Sequence, residues 1–155
     1  MSLVDGAVTM SLDGQGGAPL LPRLTPELQR RVYYFALFPN LLISPHPDFV
    51  LSHRIEPLTP SQTRVECRTL FQRSAVEARG FDGRYASDFW DVTNRQDWAA
   101  IESIQRSAAS PAFRPGPISE MEEAVYQFFN MVAASYVAGR PVKPKNPEVL
   151  AKPLR

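Results

Sequence analysis

Two runs of strict alternation constrain this chain more than any other feature. Phe49, Leu51, His53 and Ile55 alternate with Val50, Ser52, Arg54 and Glu56; further on, Val65, Cys67, Thr69 and Phe71 alternate with Arg64, Glu66 and Arg68. A period of two sends successive side chains to opposite faces, so each run reads as a strand with one apolar and one wet face. Between them, Pro57, Leu58, Thr59, Pro60, Ser61 and Gln62 supply a loop. One-sided burial of this kind suits an antiparallel hairpin. In this phase Leu51, His53 and Phe71 face inward, while Arg64, Glu66 and Arg68 face water.

Other elements follow from the same reasoning. Tyr33 to Leu37 and Leu41 to Ser44 read as strands separated by Phe38, Pro39 and Asn40, with Pro45, His46 and Pro47 forming a turn. The Gly-rich stretch from Met1 to Pro22 offers only Ala7 to Leu12 as a short strand and nothing expected to pack by itself. Arg73 to Ala86, with Gly80 and Gly83, reads as a mobile connection. A helix is expected from about Ser87 to Ser107, capped by Ser87 or Asp88. A second begins at Ser119, where Ser119-x-x-Glu122 forms a capping box. Its stripe of Met121, Val125, Phe128, Val132 and Tyr136 has helical spacing, and Gly139 with Pro141 ends it. Strands followed by helices define an α+β class, with a long helix lying across an antiparallel sheet.

Composition narrows the function. The chain has 155 residues, 21% of them charged, and a net charge of +1, enough for one domain and without strong attraction to nucleic acid. Arg140, Lys143, Lys145, Lys152 and Arg155 crowd a Pro-rich end that cannot form a regular helix, so it reads as an extended tail. Cys67 is the single cysteine, which excludes an intrachain disulfide and a Cys-rich cluster. No apolar run reaches the roughly 18 residues needed to cross a membrane, and no leader pattern opens the chain, so a cytoplasmic protein is expected. The Gly14-x-Gly16-Gly17 run lacks a following helix and does not read as a phosphate loop.

Chemistry concentrates between Phe89 and Gln105. Asn94, Asp97, Ile101 and Gln105 have the spacing of one helix face, among the apolar Phe89, Trp90 and Trp98. Asp97 has Ile101 rather than a cation at i+4. A half-buried carboxylate of this kind is either a metal ligand or general base, or a structural group bonded to neighbouring backbone.

Phe89-Trp90-Asp91-x-x-Asn94-x-Gln96-Asp97-Trp98-x-x-x-Glu102-x-x-Gln105 resembles the helix that donates the iron-ligand carboxylate in Rieske-type aromatic-ring-hydroxylating oxygenases. Three further stretches are similar in the same order. Leu37-Phe38-Pro39-Asn40-Leu41-Leu42-Ile43 with Pro47-Asp48 resembles the family's strand pair, and Pro57 with Thr63 and Val65 its next hairpin. Phe113-x-Pro115-Gly116-Pro117-Ile118-Ser119-x-x-Glu122 resembles the lead into its last helix.

The resemblance implies a helix-grip (START-like) fold, incomplete at its N-terminus, with residues 1–155 forming the C-terminal portion of a catalytic domain whose Rieske domain is absent. It implies Asp97 as a ligand of a mononuclear Fe(II) held by two histidines and a carboxylate, with Asn94 and Gln105 hydrogen-bonding that ligand set from behind. Leu51, His53 and Phe71 would line the substrate cavity on the concave sheet face, His53 being otherwise a satisfied core histidine. Cys67 is expected to behave as a small buried hydrophobe.

Partners implied are the rest of the α subunit, further copies in a homo-oligomer (a trimer in the family), and a reductase or ferredoxin; the helix face around Trp90 and Trp98 would be left open for association. The parent enzyme would hydroxylate or demethylate an organic, aromatic substrate with O₂, using a [2Fe–2S] cluster in the missing domain.

Two departures qualify this. The family's cluster needs Cys-x-His pairs, and His46, between prolines, and His53, in a strand, do not match the helix bearing the iron histidines. The chain alone is therefore expected to be inactive and to bind neither cofactor. Alternatives are a helix-grip module holding an apolar ligand without iron, or a degenerate subunit acting only through assembly. The purified chain should lack the visible absorption of a Rieske cluster; an iron–sulfur spectrum from the pure protein would overturn this reading.

Overall fold

The computed structural model describes residues 1–142. The basic, Pro-rich tail expected beyond Val142 lies outside the described residues. Two units are present, Met1–Ser110 and another from Pro111 onward.

The first unit is built on a four-stranded antiparallel sheet in simple sequential order, β1 (Phe35–Leu37), β2 (Leu41–Pro45), β3 (Val50–Thr59) and β4 (Gln62–Leu70). Three helices follow, α1 (Arg73–Val76), α2 (Arg84–Ala108) and, in the second unit, α3 (Glu123–Ala138). The α+β expectation holds. So does the strand phase: Leu51 pairs with Thr69, His53 with Cys67 and Ile55 with Val65, while Arg54 faces Glu66 and Glu56 faces Arg64. On the wet face Arg54 and Arg68 reach Glu66 at 3.8 and 2.6 Å, and Arg64 reaches Glu56 at 3.6 Å. Such exposed pairs contribute at most about 1 kcal/mol each. Their main effect is on register, since a one-residue slip would carry the charges to the apolar face.

Several boundaries differ from expectation. The loop expected at residues 57–62 is shorter, because β3 continues to Thr59 through an irregularity between Pro57 and Thr59. The connection after β4 is partly helical, through α1. α2 begins at Arg84, three residues earlier than expected, with Gly83 rather than Ser87 or Asp88 at its cap. Asp82 explains the early start, accepting the Arg84 backbone N–H at 3.0 Å and pairing with the Arg84 guanidinium.

The N-terminal stretch forms no strand at Ala7 to Leu12, yet it does pack. Ala7, Thr9 and Ser11 are buried. The loop closes on itself where Gly14 O accepts the Val8 N–H at 2.7 Å, with Gly14 at φ +76°, a conformation that favours glycine. Arg30 holds it from outside, donating to Ala7 O at 2.7 Å and Val4 O at 3.0 Å.

The core joins β3 to α2. Phe49 and Leu51 are fully enclosed against Ala86 and Trp90, with Met10, Phe71, Tyr85 and Phe89 around them. In the second unit the Ser119–Glu122 capping box is present, with Glu122 Oε2 accepting the Ser119 N–H at 2.9 Å. Gly139 closes α3 in the left-handed conformation at φ +63°. Leu51→Ala should cost about 2–5 kcal/mol in urea unfolding, whereas Arg64→Ala should stay within about 0.5 kcal/mol. Equal losses would mean that the β3–α2 seam is not the core.

Candidate functional site

α2 is seated on the sheet by a stripe at four-residue spacing. Ala86, Trp90 and Asn94 are buried and Trp98 is half-buried. The expected open face at Trp90 is thus closed, Trp90 being only 8% exposed.

Asn94 makes the polar contact at the middle of this seam. Its Nδ2 donates to Cys67 Sγ at 3.5 Å, and its Oδ1 pairs with His53 Nε2 at 3.1 Å. Because His53 and Cys67 are cross-strand partners, one amide spans β3 and β4 together. With Nδ2 facing the sulfur, Oδ1 can only accept, which places a proton on His53 Nε2. This fixes the rotation of α2 about its axis.

Asp97 lies one turn further on. It is exposed and makes no hydrogen bond or ion pair among the described residues, so the half-buried setting expected for it is corrected. Spacing does not explain it, since Asp97 stands seven residues from Trp90 and three from Asn94 and shares their face; what ends is the cover, every residue of α2 beyond Trp98 being exposed. Ile101 and Gln105 are exposed with it. Gln105 touches none of the groups around Asn94.

The residues expected to line a cavity are placed differently from one another. Leu51 is fully enclosed beneath α2. His53 is half-buried, edge-on to Trp90 with ring centroids 6.2 Å apart. Phe71 packs in an aromatic group with Phe49, Phe81 and Tyr85. A cavity of about 600 Å³ lies elsewhere, bordered by the N-terminal loop and Phe89. Cys67 is exposed on the edge strand rather than buried, because no strand covers β4. Burial of its sulfur side still pushes the thiol pKa up, opposed by the Asn94 hydrogen bond.

Sequence reasoning missed the tightest polar group. His46 and Asp48 are 2% and 0% exposed, and Tyr85 donates to Asp48 Oδ2 at 2.7 Å. A His-Pro-Asp turn flanked by apolar strands was the available signal.

Iron fits these residues only in part. Among the described residues no three His, Cys, Asp or Glu side chains converge on a metal position. His53 is committed to Asn94, and His46 is stacked on Phe49 at 4.1 Å inside the core. Asp97 is one free oxygen donor, and two imidazoles to complete the set are not among its neighbours.

The chain belongs to the family described as ring hydroxylating alpha subunit (catalytic domain), which matches residues 1–139. It is 32% identical over 126 residues to the glycine betaine monooxygenase oxygenase subunit of Pseudomonas aeruginosa strain UCBPP-PA14, covering 79% of this chain and 29% of that protein. The protein of the same name from Chromohalobacter salexigens is 31% identical over 121 residues, covering 78% and 27%. The chain thus spans less than a third of the length of these relatives.

Enclosure of His46 sets a pH dependence. Desolvation lowers its pKa from 6.5 to about 3, so the folded chain refuses a proton that the unfolded chain accepts between those values. Stability contributed by His46 is therefore complete above pH 6.5 and lost as pH falls toward about 3, with a slope of at most about 1.4 kcal/mol per unit. Asp48 acts oppositely: burial raises its pKa above 3.8, so its contribution falls as pH rises through that region, offsetting part of the slope at the acid end. His46→Phe should flatten the urea midpoint against pH just below 6.5. An unchanged profile would show that His46 is not the group responsible.

Proposed function

We propose that this chain is the C-terminal portion of a Rieske-type oxygenase catalytic domain and contributes, through Asp97, the carboxylate of its mononuclear iron site. The observation that carries the reading is an uncommitted, exposed carboxylate one turn beyond a helix-anchoring amide, on the stretch that resembles the family's ligand helix. The two imidazoles and the [2Fe–2S] cluster would come from polypeptide outside these 155 residues. When bound, such an iron supplies oxygen activation. The chain's own part is positional: Asn94 holds the rotation of α2, and the helix rigidly carries that orientation to Asp97. Gln105 is assigned a supporting role only in the assembled site, and His53 and Phe71 the substrate side.

The parent enzyme is assigned an oxygenation reaction fed by a reductase or ferredoxin, in a cytoplasmic homo-oligomer. Among the described residues no helix is long and apolar enough to cross a membrane. Glycine betaine, in the relatives' names, favours a small N-methylated substrate over an aromatic ring.

Anaerobic Fe(II) titration of the chain alone should show no stoichiometric binding, since one carboxylate has no preference for iron over commoner cations. Co-expressed with a polypeptide bearing the two histidines, it should retain iron, and Asp97→Ala should lower that affinity by more than the roughly 10–100-fold typical of outer-sphere partners. Iron retained equally by the Asp97→Ala complex would sink the assignment. Tight binding of an apolar ligand without metal would point to the rival module, and stoichiometric iron in the isolated chain would overturn the incomplete-site reading.

A further inference from the structure

The turn between β2 and β3 carries a buried carboxylate that the iron reading leaves unused. Asp48 is 0% exposed, and among the described residues the groups that bond to it are uncharged. Tyr85 donates to it from α2 at 2.7 Å, while the Thr9 hydroxyl and the Gly17 N–H donate from the N-terminal stretch. That stretch also covers it. A Cβ at Gly16 would come within 3.1 Å of Asp48 Oδ2, and one at Gly17 would overlap the Tyr85 ring, so bare backbone closes over the carboxylate.

Residues 8–20 are tied at both ends by contacts that do not titrate. At one end Arg30 donates to Ala7 O at 2.7 Å. At the other the Leu21 N–H donates to Pro47 O at 2.7 Å, and Gln72 Nε2 to Leu20 O at 2.9 Å. The middle is held to the sheet through Asp48, and that hold depends on charge. A carboxylate enclosed without a cation loses its hydration, which hydrogen-bond donors replace only in part. Burial accordingly raises the Asp48 pKa above 3.8 despite its donors. With the stretch lifted, the carboxylate regains water and its ordinary pKa.

We propose that residues 8–20 are a strap over Asp48, latched while that carboxyl is protonated and loosened when it ionises. Closing is favoured at low pH, and the advantage is lost as pH rises from 3.8 through the raised value of the covered group. The other titratable groups around it do not produce this sign. His46, on the same turn, has its pKa lowered by burial and favours opening as pH falls. Tyr85, on α2, is pushed up by burial and by Asp48, and stays protonated. Asp13, on the strap, is held below 3.8 by the Gln15 N–H and the Ser11 hydroxyl, so it is charged throughout. Thr9, Met10 and Gln15 of the strap also wall the cavity bordered by Phe89, so loosening widens that cavity.

The test is amide hydrogen exchange in the full chain, corrected for the intrinsic rate at each pH. Protection of Gly17 should fall as pH rises above 3.8, by at most about tenfold per unit, and then level off, with no such fall at Leu51 in β3. Asp48→Asn keeps the shape and removes the charge, so it should abolish the fall. Should that variant not fold, the parent's own Asp48 carboxyl ¹³C resonance decides, and it should titrate above 3.8 in step with Gly17. Four results would refute the strap. They are Gly17 protection independent of pH, a fall shared by Leu51, the same fall in a folded Asp48→Asn protein, and a carboxyl resonance that titrates at or below 3.8.

Discussion

Leu51 rises from β3 and Phe49 from the residue just before it, at the two-residue period of extended chain, and Ala86 and Trp90 point down from α2 at the four-residue period of a helix. Where the two periods coincide these side chains form one buried cluster, and the first unit is organised by that meeting. Each fully enclosed side chain contributes about 1.5–3 kcal/mol by leaving water. This small core is continued at both ends by polar contacts. Tyr85 joins Asp48 on one side and Asn94 joins His53 and Cys67 on the other. The helix is thereby held at two points along its length, which fixes both its direction and its rotation. Asp97 lies at the end of the seated stretch and is exposed.

How much of this was legible in the sequence depended on whether a neighbouring segment had to be known. Strand phase was legible from β3 and β4 alone, since their charged residues sit opposite one another on the wet face. The last helix was legible because Ser119, Glu122 and Gly139 carry start and stop signals within a few residues. The start of α2 was not, because Gly83 lacks a capping side chain and Asp82 does the work from one residue outside. The burial of Thr9 and Ser11 was also hidden, because short polar residues in a Gly-rich loop go inside only when something receives them: the Asp48 turn for Thr9, and for Ser11 its own loop through Asp13 and Gln15.

Asp97 illustrates a subtler failure. Resemblance of its surrounding motif singled the residue out; periodicity alone read it as half-buried, whereas the expectation for a chain without the two histidines was an exposed carboxylate, and exposed it is. Spacing puts Asp97 on the same face as Trp90 and Asn94, but it does not tell how far along the helix the cover reaches; beyond Trp98 every residue of α2 is exposed.

The charged face of the hairpin matters beyond its register. β4 is the longer outer strand of the sheet, and an outer strand is where a foreign strand can add. Arg64, Glu66 and Arg68 already have partners on or beside it, so an incoming strand would disturb three ion pairs and strip water from them. At the opposite margin β1 spans three residues and shows exposed Phe35 and Leu37, with no charge among its side chains. The two borders of the sheet are therefore protected by different means, charge along β4 and brevity at β1, whose three residues offer an added strand little ladder to pair with.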